Sequence, residues 1–464
     1  MEIMSNDLMP HHHAQHNNRT GTKHWGEETF SAGWRFALRA LRHRNYRLFF
    51  SGQSVSLIGT WMTRIATIWL VYRLTKSAFL LGLIGFSGQI PSLILGPIAG
   101  VWVDRWDRHR VLVITQVSSM IQSFLLAGLT LSGRITFWDI FVLSLLQGAI
   151  NAFDMPARQA FVVEMLEARD DLPNAIALNS SMVNGSRLIG PALAGMVIAA
   201  VGEGYCFLLD GISYIAVIIS LMLMHLDHVE SRRGVEGVFS ELKEGWQYIV
   251  DFIPIRNILL LLAFVSLMGM PYTTLMPIFA GKVLHGGPST LGFLMAASGV
   301  GALASAIVLA MRRTVLGLGR LIAMTAGLFG AALIGFGLSR WLWLSLLLML
   351  LAGYGMMQQM AASNTILQTI VEENKRGRVM SYYTIAFAGA APFGNLIEGA
   401  AANWIGAPAT LVIGGALCVL GALWFSRELP RVRAVVRPLY AQLGIIPEVA
   451  TGLQTASVLQ TPPE

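Results

Sequence analysis

Twelve apolar stretches, each near the length that crosses a bilayer as a helix, constrain this chain more than any other feature. A hydrocarbon core takes about 20 consecutive apolar residues, and such stretches fall at 48–72, 78–103, 111–131, 137–153, 176–201, 205–225, 256–281, 290–311, 321–338, 342–364, 379–403 and 408–426. Only 13% of the 464 residues are charged, against 54% hydrophobic, where a soluble domain carries about 25% charged residues. Too little charge remains to cover a water-facing surface, so the apolar residues must face lipid. Cytosolic enzymes, collagen-like chains and disordered tails are excluded together. The expected fold class is an all-α membrane protein with twelve transmembrane helices.

An even number of spans puts both ends on one side. With that side taken as cytoplasmic, the inner segments hold 26 of the 33 Lys and Arg residues, the outer loops five (Arg73, Lys76, Arg134, Lys282, Arg340) and the spans two (Arg64, Arg187). The positive-inside rule fixes this orientation and absorbs the net charge of +7, which leaves no case for a nucleic-acid partner. The first apolar run begins near Leu48 and is too long for a signal-peptide core, so no cleavable leader is expected. Ahead of it, Trp34, Leu38 and Leu41 interleave with Arg35, Arg39 and Arg42, as on a basic amphipathic helix at the membrane surface. A solvated basic tail is the alternative. Within the longest inner loop, Phe239, Leu242, Trp246 and Ile249 mark one face of a second surface helix.

The chain thus divides into a basic N-terminal tail (1–47), a six-helix bundle (48–225), a central loop (226–255), a second six-helix bundle (256–426) and a C-terminal tail (427–464). A weak internal echo supports two similar halves. Gly82 ahead of Asp104-Arg105 matches Gly292 ahead of Arg312-Arg313, and Gly190-Pro191 matches Ala391-Pro392. Many transporters are built from two such halves, with the substrate site between them near the midplane.

Polar residues inside the spans fall on stripes, as they do where a helix meets a water-filled cavity. Gln53, Ser56, Thr60, Thr63, Arg64 and Thr67 share one face of span one, and Ser144, Gln147, Asn151, Asp154 and Arg158 one face of span four. Gln53, Thr60, Arg64, Gln147 and Asn151, with Arg187 in span five and Gln358 in span ten, are the substrate-cavity candidates. Arg64 lies roughly 12 Å below the outer end of its span at about 1.5 Å per residue, too deep to reach the surface comfortably. Asp210 in span six and Glu398 in span eleven lie at comparable depth, and with Asp154 they are the candidates for carrying a proton. A static Arg64–Asp210 ion pair and a substrate or proton site are both open for these charges.

Two further segments point to conformational change. In span five Gly190 and Gly195 permit close helix approach and Pro191 frees backbone groups, as at a hinge, although ordinary membrane-helix packing uses the same residues. The loop after span two reads Gly100-Val-Trp-Val-Asp104-Arg105-Trp-Asp-Arg108-His-Arg110, and its Asp104 among several cations predicts an ion-pair latch formed in one conformation only, with ordinary positive-inside loop chemistry as the alternative. Cys206 and Cys418 both lie in apolar runs, which excludes a disulfide framework and a cysteine zinc site. His11, His12, His13 and His16 belong to the tail, and no metal or cofactor is expected.

These segments resemble a known family. The run from Gly100 to Arg110 resembles the major facilitator superfamily signature Gly-x-Leu-x-Asp-Arg-x-Gly-Arg-Lys, with Trp102, Asp107 and His109 as departures. Arg187 to Gly195 is similar to the span-five motif of its drug:proton antiporter branch. Asp154-Met-Pro-Ala-Arg-Gln-Ala-Phe161, Asn174-Ala-Ile-Ala-Leu-Asn-Ser180 and Arg376-Gly-Arg-Val-Met-Ser381 resemble the subgroup of enterobactin and macrolide exporters. The resemblance implies the major facilitator fold, a gating role for Gly100, Asp104, Arg105, Arg108, Gly190, Pro191 and Gly195, and export coupled to protons. Many drug:proton antiporters carry Arg three residues before the Gln-Gly pair of span four, where this chain has Ser144, so that residue's coupling role does not transfer.

The expected function is export of a small amphipathic molecule, drug-like or a siderophore, across the bacterial inner membrane by a monomer working through alternating access. An anionic metabolite or lipid-like substrate moved without protons is the alternative. No Gly-x-x-x-x-Gly-Lys-Ser/Thr loop is present for ATP, and neither an HExxH nor a GxSxG motif supports an intramembrane enzyme. A sensor on the same fold would call for a folded tail domain.

Overall fold

A computed structural model of the protein describes residues 38–167, 169–225, 238–312 and 314–442. Among these residues the secondary structure is helical and no strand occurs. Lipid imposes this, because a backbone without water must satisfy its own hydrogen bonds. After a 3-10 turn (Arg39–Arg42), the first half comprises α1 (Arg44–Thr75), α2 (Ala78–Ser87), α3 (Ile90–Arg105), α4 (Arg108–Leu131), α5 (Phe137–Phe161), α6 (Leu172–Val201) and α7 (Glu203–Met222). The second comprises α8 (Val238–Asp251), α9 (Ile253–Gly269), α10 (Tyr272–Ile278), α11 (Pro288–Ala310), α12 (Leu318–Leu338), α13 (Leu342–Ile370), α14 (Glu373–Thr384), α15 (Ala390–Ile405) and α16 (Ala407–Gln442).

Side chains start several of these helices by satisfying free N–H groups. Ser77 accepts from the Leu80 N–H at 3.4 Å, Asp107 from that of Arg110 at 3.2 Å, and Thr136 with Asp139 forms a capping box. Single glycines at left-handed φ, Gly202 (95°) and Gly406 (86°), connect α6 to α7 and α15 to α16. They end spans five and eleven, equivalent places in the two halves, where a residue with a Cβ would be strained.

Among the described residues, eleven helical stretches are long and apolar enough to cross a membrane. The twelfth crossing, 373–405, is more polar because Tyr382, Tyr383, Asn395 and Glu398 fall in it, and a π-helical turn (Ile385–Gly389) joins α14 to α15. In the first half α1 packs on α6 and α7, and α4 on α5 and α7; in the second, α12 packs on α13 and α16, and α11 on α13. The result is two six-helix bundles, joined chiefly by α2 against α15 and α6 against α11. Contacts between helix ends fix the direction of each crossing. Asn45 Nδ2 donates to the His225 carbonyl at 2.7 Å on one face, and Arg73 Nε lies 2.8 Å from Glu203 Oε1 on the other. These are called here the Arg44 face and the Thr75 face.

The packing bears on three expectations. The helix of the last span does not stop near Ser426: α16 continues to Gln442 and buries Leu429, Val432, Val436 and Tyr440, so the first part of the expected tail is core-forming helix. Helix α6 runs unbroken through Pro191, whereas breaks occur at Gly88–Gln89 between α2 and α3 and at Met270–Pro271 between α9 and α10. The expected surface helix of the central loop forms as α8, with Ile249 buried and the Trp246 ring 5.9 Å from that of Tyr382. The side chains of Phe239 and Leu242, residues 1–37 with Trp34, Arg35 and the histidines, and residues 443–464 lie outside the described residues.

Candidate functional site

The two bundles meet through glycines at the Thr75 face. A Cβ on Gly82 of α2 would come 2.9 Å from the Gly399 Cα of α15 and closer still to the Asn395 carbonyl. One on Gly195 of α6 would meet the Gly292 Cα of α11 at 3.0 Å and the Pro288 carbonyl at 2.8 Å. Helix backbones touch there with no room for any side chain. Nearer the Arg44 face no packing of comparable extent joins α3, which continues α2, to α14, which leads into α15. A Cβ on Gly96 or Gly100 of α3, Gly185 of α6 or Gly377 of α14 would meet nothing within 4 Å. The molecule is sealed at one end of its seam and splayed at the other.

Just below the seal lie two cations. The Arg64 guanidinium is 5.3 Å from the centre of the Trp61 ring and that of Arg187 is 5.9 Å from it. Gly190 makes this possible: its missing Cβ lets α6 press onto Trp61, with the Ile58 carbonyl 3.1 Å from where that Cβ would stand. Arg64 and Thr60 are exposed although Arg64 is roughly 16 Å from Thr75 at about 1.5 Å per residue. Each cation–π contact contributes about 0.5–2 kcal/mol, but two like charges on one ring also repel. Among the described residues no ion pair includes Arg64 or Arg187. An anionic group entering the gap would meet two uncompensated guanidiniums beside an aromatic face.

The expected Arg64–Asp210 pair does not form. Asp210 is 1% exposed, accepts from Ser123 Oγ at 2.9 Å, and directs its other oxygen toward Gly59, whose absent Cβ would lie 2.7 Å away. Asp154, also buried, accepts from Thr115 at 2.9 Å and Gln116 at 2.7 Å and is ion-paired with Arg158 one helical turn on. Glu398 differs from both. It is 3% exposed, neither carboxylate oxygen has a hydrogen-bond partner, and Oε1 faces the space left by Gly414 of α16.

The remaining candidates scatter. Gln147 donates to Ser119 at 3.2 Å and to the exposed Asn151 at 3.1 Å, extending an accessible polar surface along α5. Gln53 is buried in α1, and Gln358 is sealed between α13 and α11, accepting from Ser305 at 2.8 Å. On the Arg44 face Arg108 lies 2.6 Å from Glu164, Arg105 is exposed, and the Asp104 side chain is outside the described residues. Sequence reasoning did not single out Trp61, Glu164 or Asn395. Trp61 stands one helical turn before Arg64, which could have marked it; Asn395, which accepts from Thr274 at 2.8 Å beside Gly82, gives no such sign.

Comparison with known proteins agrees with this architecture. A family model described as transmembrane secretion effector matches residues 36–443. The staphyloferrin A transporter of Staphylococcus aureus is 26% identical over 384 residues, which span 82% of this chain and 95% of the relative. The multidrug efflux pump Tap of Mycolicibacterium fortuitum is 25% identical over 386 residues, 81% and 93% of the two chains. A solved bacterial homologue of the iron transporter ferroportin, in an inward-facing state, has the same fold, with a TM-score of 0.65 at 15% identity over 83% of this chain and 98% of that one. The chain therefore belongs to the transmembrane secretion effector family of the major facilitator superfamily, a multi-pass membrane transporter rather than an enzyme.

Proposed function

We propose that this transporter exports a small amphipathic anion across the bacterial inner membrane by alternating access, as a monomer with its Arg44 face cytoplasmic. The observation that carries the proposal is the pair of unpaired guanidiniums on Trp61 directly beneath the glycine seal. Arginine can grip a carboxylate or phenolate with two parallel hydrogen bonds, which lysine cannot copy. The excess of Lys and Arg on the Arg44 face supports the orientation, and the splayed seam there supports reading this state as the one open to the cytoplasm. On this reading the tails and central loop, 1–47, 226–255 and 427–464, fall on the cytoplasmic side, and 48–225 and 256–426, the latter extended by the buried end of α16, are the two moving units. Relatives named for staphyloferrin A and for multidrug efflux support a small-molecule cargo.

Accumulation in inside-out vesicles tests the cargo. An acidic fluorophore should be taken up in preference to a permanently cationic dye. Arg64→Lys should raise its KM about tenfold or more, because hydrogen bonds to charged groups contribute about 1.5–3 kcal/mol. Preference for the cationic dye, or an unchanged KM in Arg64→Lys, would remove the anion-binding role.

Proton antiport is the proposed driving force, with Glu398 as carrier and Asp210 second. No cation or donor competes with a proton for the Glu398 oxygens, whereas Asp154 is held by three donors. Glu398→Gln keeps the size of the side chain and should leave downhill exchange running while abolishing accumulation driven by an imposed pH gradient. Gradient-driven accumulation that survives in Glu398→Gln and in Asp210→Asn would leave transport uncoupled from either residue.

A further inference from the structure

The Thr75 face carries a cavity of about 750 Å³ placed across the seam between the two bundles. Tyr72 and Lys76 line it from the first bundle; Lys282 and His285, at the end of the seventh span, with Arg340 and Asn403, line it from the second. Topology gives no reason for cations here, since positive charge collects on the opposite face. Of the five cations in the loops of the Thr75 face, Arg73 is neutralised by Glu203 at 2.8 Å, and three of the others converge on this one cavity. The face's two acids are both committed elsewhere, Glu203 to Arg73 and Asp139 to the Thr136 cap. Among the described residues no carboxylate lines the cavity, and none forms an ion pair with Lys76, Lys282 or Arg340.

The backbone is unusual at the same place. Lys76 (φ 52°) and His285 (φ 51°) are the two non-glycine residues at left-handed φ among the described residues, and both line the cavity. Lys76 takes this conformation as the C-cap of α1, its N–H donating to the Tyr72 carbonyl at 2.9 Å. Its side chain is placed as well: the Lys76 ammonium lies 4.4 Å from the centre of the Tyr72 ring, and that ring occupies the space left by Gly281 of the other bundle. Lys76 is thereby fixed at the seam, across from Lys282 and Arg340.

We propose that this cavity is an anion site, distinct from the Arg64–Arg187 pair, that takes a compact multiply charged group of phosphate or carboxylate oxygens and bridges the two bundles. Cations from both sides of a seam repel one another, and a shared anion turns that repulsion into attraction. The bridge exists only while the Thr75 face is closed, so binding there shifts the molecule toward the closed state, as any ligand favours the conformation that completes its site. The source of the oxygens is either a soluble anion or the headgroup of an acidic phospholipid.

Pyrophosphate titrated at constant ionic strength into the full-length protein in phosphatidylcholine nanodiscs tests the site without any transport, so failure here and failure of the cargo assignment are distinguishable. The parent should bind it saturably. Lys282→Ala with Arg340→Ala should weaken binding at least tenfold, whereas Arg134→Ala, which removes a cation of the same face that does not line the cavity, should leave it unchanged. In discs containing phosphatidylglycerol, a headgroup source predicts weaker pyrophosphate binding by competition and lipid retained on the parent but not on the double variant; a soluble source predicts no change. Spin labels on Leu74→Cys and Trp341→Cys should shift to their shorter-distance population when pyrophosphate is bound. Loss of saturable binding together with absence of retained lipid, undiminished binding in the double variant, or binding with no shift in the label distances would each overturn the proposal.

Discussion

Gly82→Leu is expected to abolish transport while leaving a folded, membrane-inserted protein. The new Cβ would lie 2.9 Å from the Gly399 Cα and nearer to the Asn395 carbonyl, and these are backbone atoms that cannot swing aside. Overpacking a tight contact costs about 1–3 kcal/mol; at 1.4 kcal/mol per factor of ten, the closed population falls roughly five- to 150-fold. Rigid neighbours put the effect at the upper end of that range. Because only the closed seam brings α2 and α15 into this contact, each bundle should fold normally. Gly96→Leu is the control, since its Cβ meets nothing within 4 Å. Transport by both, with the accessibility of Leu74→Cys on the Thr75 face, decides the matter. Near-parental transport in Gly82→Leu would show that the glycine crossing is not required for closure.

Asp154→Ala should produce the largest loss of stability among the polar residues of the spans. Its carboxylate accepts from Thr115 and Gln116 and pairs with Arg158. Removing one partner of a buried ion pair costs about 3–5 kcal/mol because the other charge is left unpaired. The Arg158 side chain is 28% exposed and recovers some hydration, which places the loss near about 3 kcal/mol. Asp154→Asn keeps an acceptor for Thr115 or Gln116 and should lose less. The unfolding midpoint in detergent, followed across Asp154→Ala, Asp154→Asn and Arg158→Ala, checks the order. An Asp154→Ala protein as stable as the parent, with an altered pH profile of transport, would make Asp154 a proton carrier rather than a fastening between α4 and α5.

The sequence by itself determined that this chain is a membrane-spanning bundle of helices in two related halves. That much is local: a bilayer core demands about 20 apolar residues per crossing, and hydropathy, loop charge and capping residues are read along the chain without knowing what packs on what. The stripe of span one was legible for the same reason, since helical periodicity alone puts Thr60 and Arg64 on one face. Only the tertiary structure decided the partners. Arg64 and Asp210 were equally plausible as a pair by depth, but depth fixes a position along the membrane normal and not the azimuth around a helix. Packing turned Asp210 toward Ser123 and left Arg64 on Trp61 beside Arg187. The same limit hid the seal at Gly82–Gly399 and Gly195–Gly292, and the convergence of Lys76, Lys282 and Arg340 from loops more than fifty residues apart. A glycine or a lone loop cation carries no signal of what approaches it. The close approach of two bundles is a property of their surfaces, and those exist only after each has folded.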